Sequence, residues 1–284
     1  MKIVVTGANG QVGQELATIK DKYQSWDIYF YDRSSLDITD PSAIDDCFKA
    51  GDVDICINCA AYTAVDKAES EEDNCGLVNH SGPELLAKAC NKYNVKLIHL
   101  STDYVYHNDS TKPLLETDAT MPKGVYAKTK LSGEQAVSAN AESYIIIRTS
   151  WVYSSFGNNF VKTMLRLGKD RDKLSIVSDQ IGTPTYARDI ARTIYQICQQ
   201  GWTKTQNGTY NFSNAGETNW SAFAREIFNV KNISCHVSDI STKEYGAAAE
   251  RPLWSVLSKE KIKATFNVKP RHWKESLKEC LELL

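Results

Sequence analysis

Hydrophobic and polar positions along the chain alternate between two rhythms. Short apolar, β-branched runs are followed by stretches whose apolar residues return every three or four positions, the signatures of strand and helix. Lys2 to Thr6 reads as a strand that ends in Gly7-Ala8-Asn9-Gly10-Gln11-Val12-Gly13, and a helix pattern continues through Glu15, Leu16 and Ile19. A second strand, Asp27 to Tyr31, stops at Asp32. Asp40 then suits an N-cap and Pro41 the first helical position, ahead of Ile44 and Phe48. Val53 to Ile57 is a third strand and Val95 to Leu100 a fourth, separated by an acidic stretch (Asp66 to Asp73) and a helix from about Ser81 to Tyr93. Ile145 to Arg148 is a fifth. Beyond it the pattern loosens: helices at Asn158 to Leu167, Ala187 to Gln200, Asn219 to Phe228 and Trp273 to Leu283, with strands at Leu174 to Val177 and Thr209 to Phe212.

Alternation of this kind predicts an α/β fold, a Rossmann-type doubly wound parallel sheet. No repeat, low-complexity tract or linker interrupts it, so a second unit must be interleaved with the first. We expect residues 1–150 plus about 187–213 to form a dinucleotide-binding domain. Residues about 151–186 and 214–284 are expected to form a smaller substrate-binding domain over it.

The first turn has the strand-glycine-helix context of a dinucleotide site. Gly7, Gly10 and Gly13 let backbone approach a pyrophosphate, and the helix N-terminus offers free N–H donors. Asp32 stands where a carboxylate accepts from the adenosine ribose, although a capping aspartate fits the same position. Arg33 beside it suits a 2′-phosphate. Tyr126 and Lys130, in Gly124-Val125-Tyr126-Ala127-Lys128-Thr129-Lys130, lie about 6 Å apart on one helical face. A neighbouring ammonium favours a phenolate, and lowering a tyrosine by three units takes roughly 4 kcal/mol, at ~1.36 per unit. The pair is therefore a candidate general acid with its tuner, while a packed tyrosine and a solvated lysine share the same spacing.

Composition adds exclusions more than chemistry. With 284 residues, 42% hydrophobic and 24% charged, and a formal net charge of −2, the chain gives no global electrostatic case for nucleic acid. No apolar run approaches a membrane span, and Met1 to Val5 is too short for a secretory signal, so a cytoplasmic protein is expected. Without secretion the sequons at Asn79, Asn108, Asn207, Asn211 and Asn232 carry no message. Cys56-x-x-Cys59 sits in a buried strand with no second pair to complete a metal set, so its thiols are expected in the core.

Taken in order, the glycine turn, Asp32, Asn58-Cys59-Ala60-Ala61, Ser101-Thr102-Asp103 and Tyr126-x3-Lys130 resemble the extended short-chain dehydrogenase/reductase family. Thr63 to Glu69, Ser101 to Tyr106, Arg148 to Tyr153, Gly157 to Phe160 and Asp179 to Thr185 are similar to its dTDP-4-dehydrorhamnose reductase branch. The resemblance implies a cofactor, NADPH or NADH, held by Gly10, Gln11 and Val12 at the pyrophosphate, Asp32 at the ribose, and Asp37 and Ile38 near the adenine. Ala61, Tyr62 and Thr63 would line the nicotinamide side. Tyr126 would be the acid, Lys130 its ribose-binding tuner and Thr102 its hydroxyl partner. Asp103 and Trp151 would touch the sugar, and Arg251 the nucleotide end of a dTDP-linked 4-keto-6-deoxy sugar. Trp151 could instead fill the core. A same-family epimerase or dehydratase, or a non-catalytic NADP-binding regulatory subunit, fits much of the same set. Some relatives hold Mg2+ at a dimer interface, but no ligands can be assigned here, and monomer and homodimer both stay open. Gly124 and Trp254 depart from the branch, which commonly has asparagine at each position.

Overall fold

A computed structural model describes residues 1–107, 110–247 and 249–284; the sequon residue Asn108 lies outside them. The strands are β1 (Lys2–Thr6), β2 (Asp27–Tyr31), β3 (Ile55–Asn58), β4 (Lys96–Thr102), β5 (Tyr144–Thr149) and β6 (Gly208–Asn211). They form one parallel sheet in the order β6-β5-β4-β3-β1-β2. Side chains alternate between its faces with the period of two that a pleat imposes. Ile3, Val5, Ile55, Ile57, Ile98, Ile145 and Ile147 face one core. Val4, Cys56, Leu97 and Ile146 face the other.

Helices cover both faces. Helix α1 (Gln11–Ile19) brings Val12, Leu16 and Ile19 to the first core. Helices α2 (Pro41–Lys49), α3 (Gly82–Lys92) and α4 (Gly124–Asn140) close the second with Ile44, Phe48, Leu86 and Val137. Asp40 caps α2 through Ser42 and Ala43, and Pro41 occupies its first turn, as the sequence suggests. Each fully buried aliphatic side chain in these layers contributes roughly 1.5–3 kcal/mol. The eight cysteines are free thiols, and Cys56 sits in the second core beside Cys90.

Helix α5 (Phe160–Asp170), helix α6 (Ala187–Gln200), helix α7 (Trp220–Val230) and helix α8 (Trp273–Leu281) follow. Of these, α6 returns to the sheet, where Ile190, Ile194 and Ile197 pack with α1. The other three surround a parallel strand pair, Lys173–Val177 with His236–Ile240, in a separate core that includes Val161, Phe223, Ile227 and Leu277. The helix Glu260–Phe266 belongs to neither group by sequence position alone. Its Ile262 and Phe266 pack in the sheet-side core, and Gln196 and Gln200 donate to Phe266 O. Thus the chain returns to the sheet twice after residue 186.

Two neighbours of β1, namely β2 and β3, lie on opposite sides of it. The order reverses there, and the crevice outside the carboxyl ends of β1 and β3 is where an open parallel sheet receives a ligand.

Candidate active site

At the end of β1 the backbone turns through Gly7, whose φ is 69°. A Cβ at this position would stand 2.5 Å from Ala60 N, so the turn is closed to any side chain. Gly10 donates to Gly7 O at 3.0 Å and begins α1 with no side-chain cap, leaving the helix N-terminus available to an anion. Gly13 points inward instead: a Cβ there would meet Gly7 O at 2.5 Å, so it serves helix-to-turn packing and does not line the cleft.

Two cavities open from this turn and share Asn9, Gly10, Cys59 and Ala61 as a common wall. The smaller, about 320 Å3, is lined by Gly7, Asp32, Asp37, Ile38 and Tyr62. Asp32 is engaged on both oxygens. Its Oδ1 accepts from Ser34 N and Oγ and from Ser35 N and Oγ at 2.7–3.0 Å, and its Oδ2 from Asn9 Nδ2 at 2.9 Å. Those donors, Ser34 first, hold the carboxyl below the usual range. Arg33 reaches Asp37 at 3.3 Å and is otherwise largely exposed on the same wall. Tyr62 departs from its expected place on the nicotinamide side. Its hydroxyl donates to Glu71 at 2.9 Å, while Asn79 brackets its backbone with bonds of 2.8 and 3.0 Å. The ring lines the smaller cavity, and Ala61 and Thr63 line the larger.

The larger cavity, about 580 Å3, gathers Gln11, Val12, Thr102, Asp103, Tyr126, Lys130 and Trp151. Strand β4 delivers Thr102 and Asp103 at its carboxyl end, and the first turns of α4 deliver Tyr126 and Lys130. Lys130 is 2% exposed and donates to Leu100 O at 2.7 Å. Burial lowers its ammonium to about 8, against the opposing pull of Glu134. Glu134 itself forms a buried pair with Arg148, at 2.6 Å, which a hydrogen bond to Tyr106 extends.

The expected depression of Tyr126 by Lys130 is not what the structure holds. Burial dominates and pushes the phenol up to about 12, with the Thr102 hydroxyl pulling it partly back and Asp103 adding to the rise. A protonated phenol at neutral pH is the form a proton donor needs. Burial likewise raises Asp103 to about 7, against hydrogen bonds from Thr102 and Ser255. Tyr104 packs edge-on against Tyr126, with centroids 5.6 Å apart.

Three polar atoms around this cavity are buried with no protein partner: Ser101 Oγ, Asp103 Oδ2 and Thr149 Oγ1. Leaving such groups unpaired costs about 1–3 kcal/mol each. Their convergence on one cavity marks it as built for a polar ligand.

Trp151 holds a left-handed φ of 47°, uncommon for a large side chain. Its indole stacks on Trp220 at 3.7 Å and 12°, over Gly182, where a Cβ would lie 2.6 Å from the ring. The ring thus lines the cavity and is supported from behind. Trp220, Thr149 and Asn9 are site residues that the sequence reading omits; Thr149 sits inside a quoted motif, but only the tertiary fold brings Trp220 here.

Arg251 lies outside the residues lining either cavity. Its guanidinium donates to Asp66 at 2.7 Å and to Ala249 O at 3.0 Å. Trp254 also faces away: its Nε1 donates to Lys112 O, and its ring packs beside Val105, Leu114 and Leu257. Gly124 has a φ of 75°, in the region that glycine and asparagine both tolerate, which accounts for that departure from the branch. Among the described residues no group of three or more His, Cys, Asp or Glu could hold a metal ion. The buried Glu15 is met by Arg188 at 2.7 Å and Ser154 at 2.6 Å. No helix among them is long and apolar enough to cross a membrane.

A glycine turn at a switch point, opening onto a buried tyrosine–lysine pair, defines a Rossmann-type oxidoreductase of the short-chain dehydrogenase/reductase class. Comparison with known proteins narrows this. The family model described as RmlD substrate binding domain matches residues 1–284. The dTDP-4-dehydrorhamnose reductase of Sinorhizobium fredii is 39% identical, over 99% of this chain and 97% of its own. The crystal structure of a dTDP-4-dehydrorhamnose reductase from Clostridium acetobutylicum is 40% identical with a TM-score of 0.95, covering 100% of this chain and 99% of that one. That of the Bacillus anthracis enzyme in complex with NADP is 38% identical with a TM-score of 0.94 and the same coverage. The chain belongs to the dTDP-4-dehydrorhamnose reductase family.

Proposed function

We propose that this chain reduces the C4 keto group of dTDP-4-dehydro-β-L-rhamnose to give dTDP-β-L-rhamnose, using NADPH or NADH, for rhamnose-containing surface polysaccharide. The observation that carries the reading is the larger cavity itself. It brings the protonated Tyr126, the buried Lys130 and three unpartnered polar atoms to the carboxyl end of the sheet, beside the glycine turn.

The residues fit a dinucleotide. Gly7 and Gly10 leave room for a pyrophosphate at the start of α1, the smaller cavity takes the adenosine, and Asp32 faces its ribose. When bound, the cofactor supplies hydride to the sugar carbonyl. Tyr126 then gives its proton to the alkoxide that forms, Thr102 hydrogen-bonds beside it, and the charge of Lys130 stabilises the resulting phenolate. In this reading Asp103, Ser101 and Thr149 receive sugar hydroxyls, Trp151 covers an apolar face of the ring, and Arg251 meets the diphosphate. We assign residues 1–150 and about 187–213 to the cofactor domain, and about 151–186 and 214–284 to the substrate domain, apart from the sheet-packed helix Glu260–Phe266.

The test supplies C4-deuterated NADPH with dTDP-4-dehydro-L-rhamnose. Stoichiometric cofactor oxidation with deuterium at sugar C4 is expected. Epimerisation or dehydration without net oxidation would replace the reading with a sibling chemistry, and binding without turnover would point to a regulatory subunit.

A further inference from the structure

The acidic stretch after β3, which the mechanism leaves without a role, carries two carboxylates that bond to two distant segments, the one holding Arg251 and the start of α4. Val65–Ala68 is a single helical turn two residues beyond Thr63, and both Thr63 and Val65 line the larger cavity. From this turn, Asp66 Oδ1 accepts from Ala249 N at 3.0 Å and Oδ2 from Arg251 Nη2 at 2.7 Å. One residue past its end, Glu69 Oε1 accepts from Val125 N at 2.8 Å, inside the first turn of α4 and next to Tyr126. A Cβ at Gly124 would lie 2.6 Å from that same oxygen. The Glu69 carboxylate therefore fills the space a side chain at 124 would take, satisfies one free N–H of α4 and complements the positive end of its dipole.

We propose that Asp66 and Glu69 are positioning residues at the two ends of one brace. Glu69 sets the pitch of the helix carrying Tyr126, and Asp66 holds the Arg251 guanidinium toward the diphosphate of the sugar nucleotide. The proposal rests on the reductase reading above. Both carboxylates are solvent-accessible and the Asp66–Arg251 ion pair adds little to stability, so the effect of the two residues is one of placement. The two ends act on different constants. Misplacing the acid weakens an interaction made in the transition state and lowers kcat, whereas loosening a diphosphate contact present throughout raises KM.

The full chain is assayed with NADPH and dTDP-4-dehydro-L-rhamnose, with NADPH affinity followed separately by fluorescence. Glu69→Ala should lower kcat about tenfold with sugar KM and NADPH Kd within about twofold, because small misplacements of a reacting group are costly. Glu69→Gln, which keeps an acceptor oxygen, should recover most of the loss. Asp66→Ala should raise the sugar-nucleotide KM about tenfold with kcat little changed, and Asp66→Asn should raise it less. Unchanged constants in Glu69→Ala beside an inactive Tyr126→Phe would overturn the brace alone. So would a parallel fall in kcat, NADPH affinity and Tm that Gln does not repair. Full turnover in Tyr126→Phe would overturn the reading beneath it.

Discussion

The two ends of the cleft are built on opposite principles. At the smaller cavity the polar groups are already satisfied: Asp32 accepts from Asn9, Ser34 and Ser35, and the glycine turn offers backbone shape where no side chain fits. At the larger cavity, Ser101 Oγ, Asp103 Oδ2 and Thr149 Oγ1 are buried and unpartnered, and Tyr126, Lys130 and Asp103 all bear pKa values displaced by burial. The first end recognises by preformed geometry and loses little on being empty. The second holds uncompensated polarity that a sugar can relieve, so its residues trade stability for binding.

Four experiments strain this contrast, beginning with the strongest. Tyr126→Phe removes the proton donor and should cut kcat about 10^3-fold, within the range expected for a general acid, while NADPH Kd stays near wild type. A parallel loss of cofactor affinity would mean the two ends are not separable. Gly7→Ala forces a Cβ toward Ala60 in a left-handed backbone, and should weaken NADPH binding more than about tenfold and lower Tm by several degrees.

Asp103→Asn tests the stored polarity by pH. Folding raises this carboxyl from an ordinary 3.8 to about 7, so its stability contribution is full below about pH 4 and is lost as pH rises through 7. The variant has no proton to lose. Its unfolding free energy should exceed wild type's at pH 8 by a few kcal/mol, at ~1.36 per pKa unit, and the gain should vanish by pH 4, with a raised sugar KM throughout. No pH dependence of the difference would show that Asp103 is already compensated. Asp32→Ala should have the mildest effect. Affinity for NADH should fall a few-fold and that for NADPH less, since Arg33 sits on the same wall. Equal losses for both cofactors would assign Asp32 to the turn alone.

What the sequence revealed divides along the same line. The glycine turn, Asp32 and Tyr126-x3-Lys130 are local patterns, and their spacing alone placed them on the correct elements. Thr102 and Asp103 followed because a parallel sheet delivers the ends of its strands to one edge. Trp220 did not, since it reaches the cavity only by stacking on a tryptophan 69 positions earlier in the chain. Tyr62 was assigned with its neighbours Ala61 and Thr63, yet it lines the smaller cavity and donates to Glu71, a contact the local pattern does not show. For Tyr126 the expected influence of Lys130 was electrostatic, and desolvation outweighed it, a balance that depends on burial and not on spacing. Arg251 lines neither cavity, and its bond to Asp66, 185 residues away, is a contact no local pattern shows.

The stacked indoles of Trp151 and Trp220, 3.7 Å apart and nearly parallel, have a consequence for observing the molecule. Two chromophores this close share their excited states, so the pair should produce a split near-ultraviolet circular dichroism signal that an isolated tryptophan lacks. The chain's other four tryptophans, at 26, 202, 254 and 273, line neither cavity and form a constant background. Anything that enters the larger cavity and tilts one ring changes that coupling. The wall of the cavity is thus its own optical label, able to report occupancy without turnover or an attached dye.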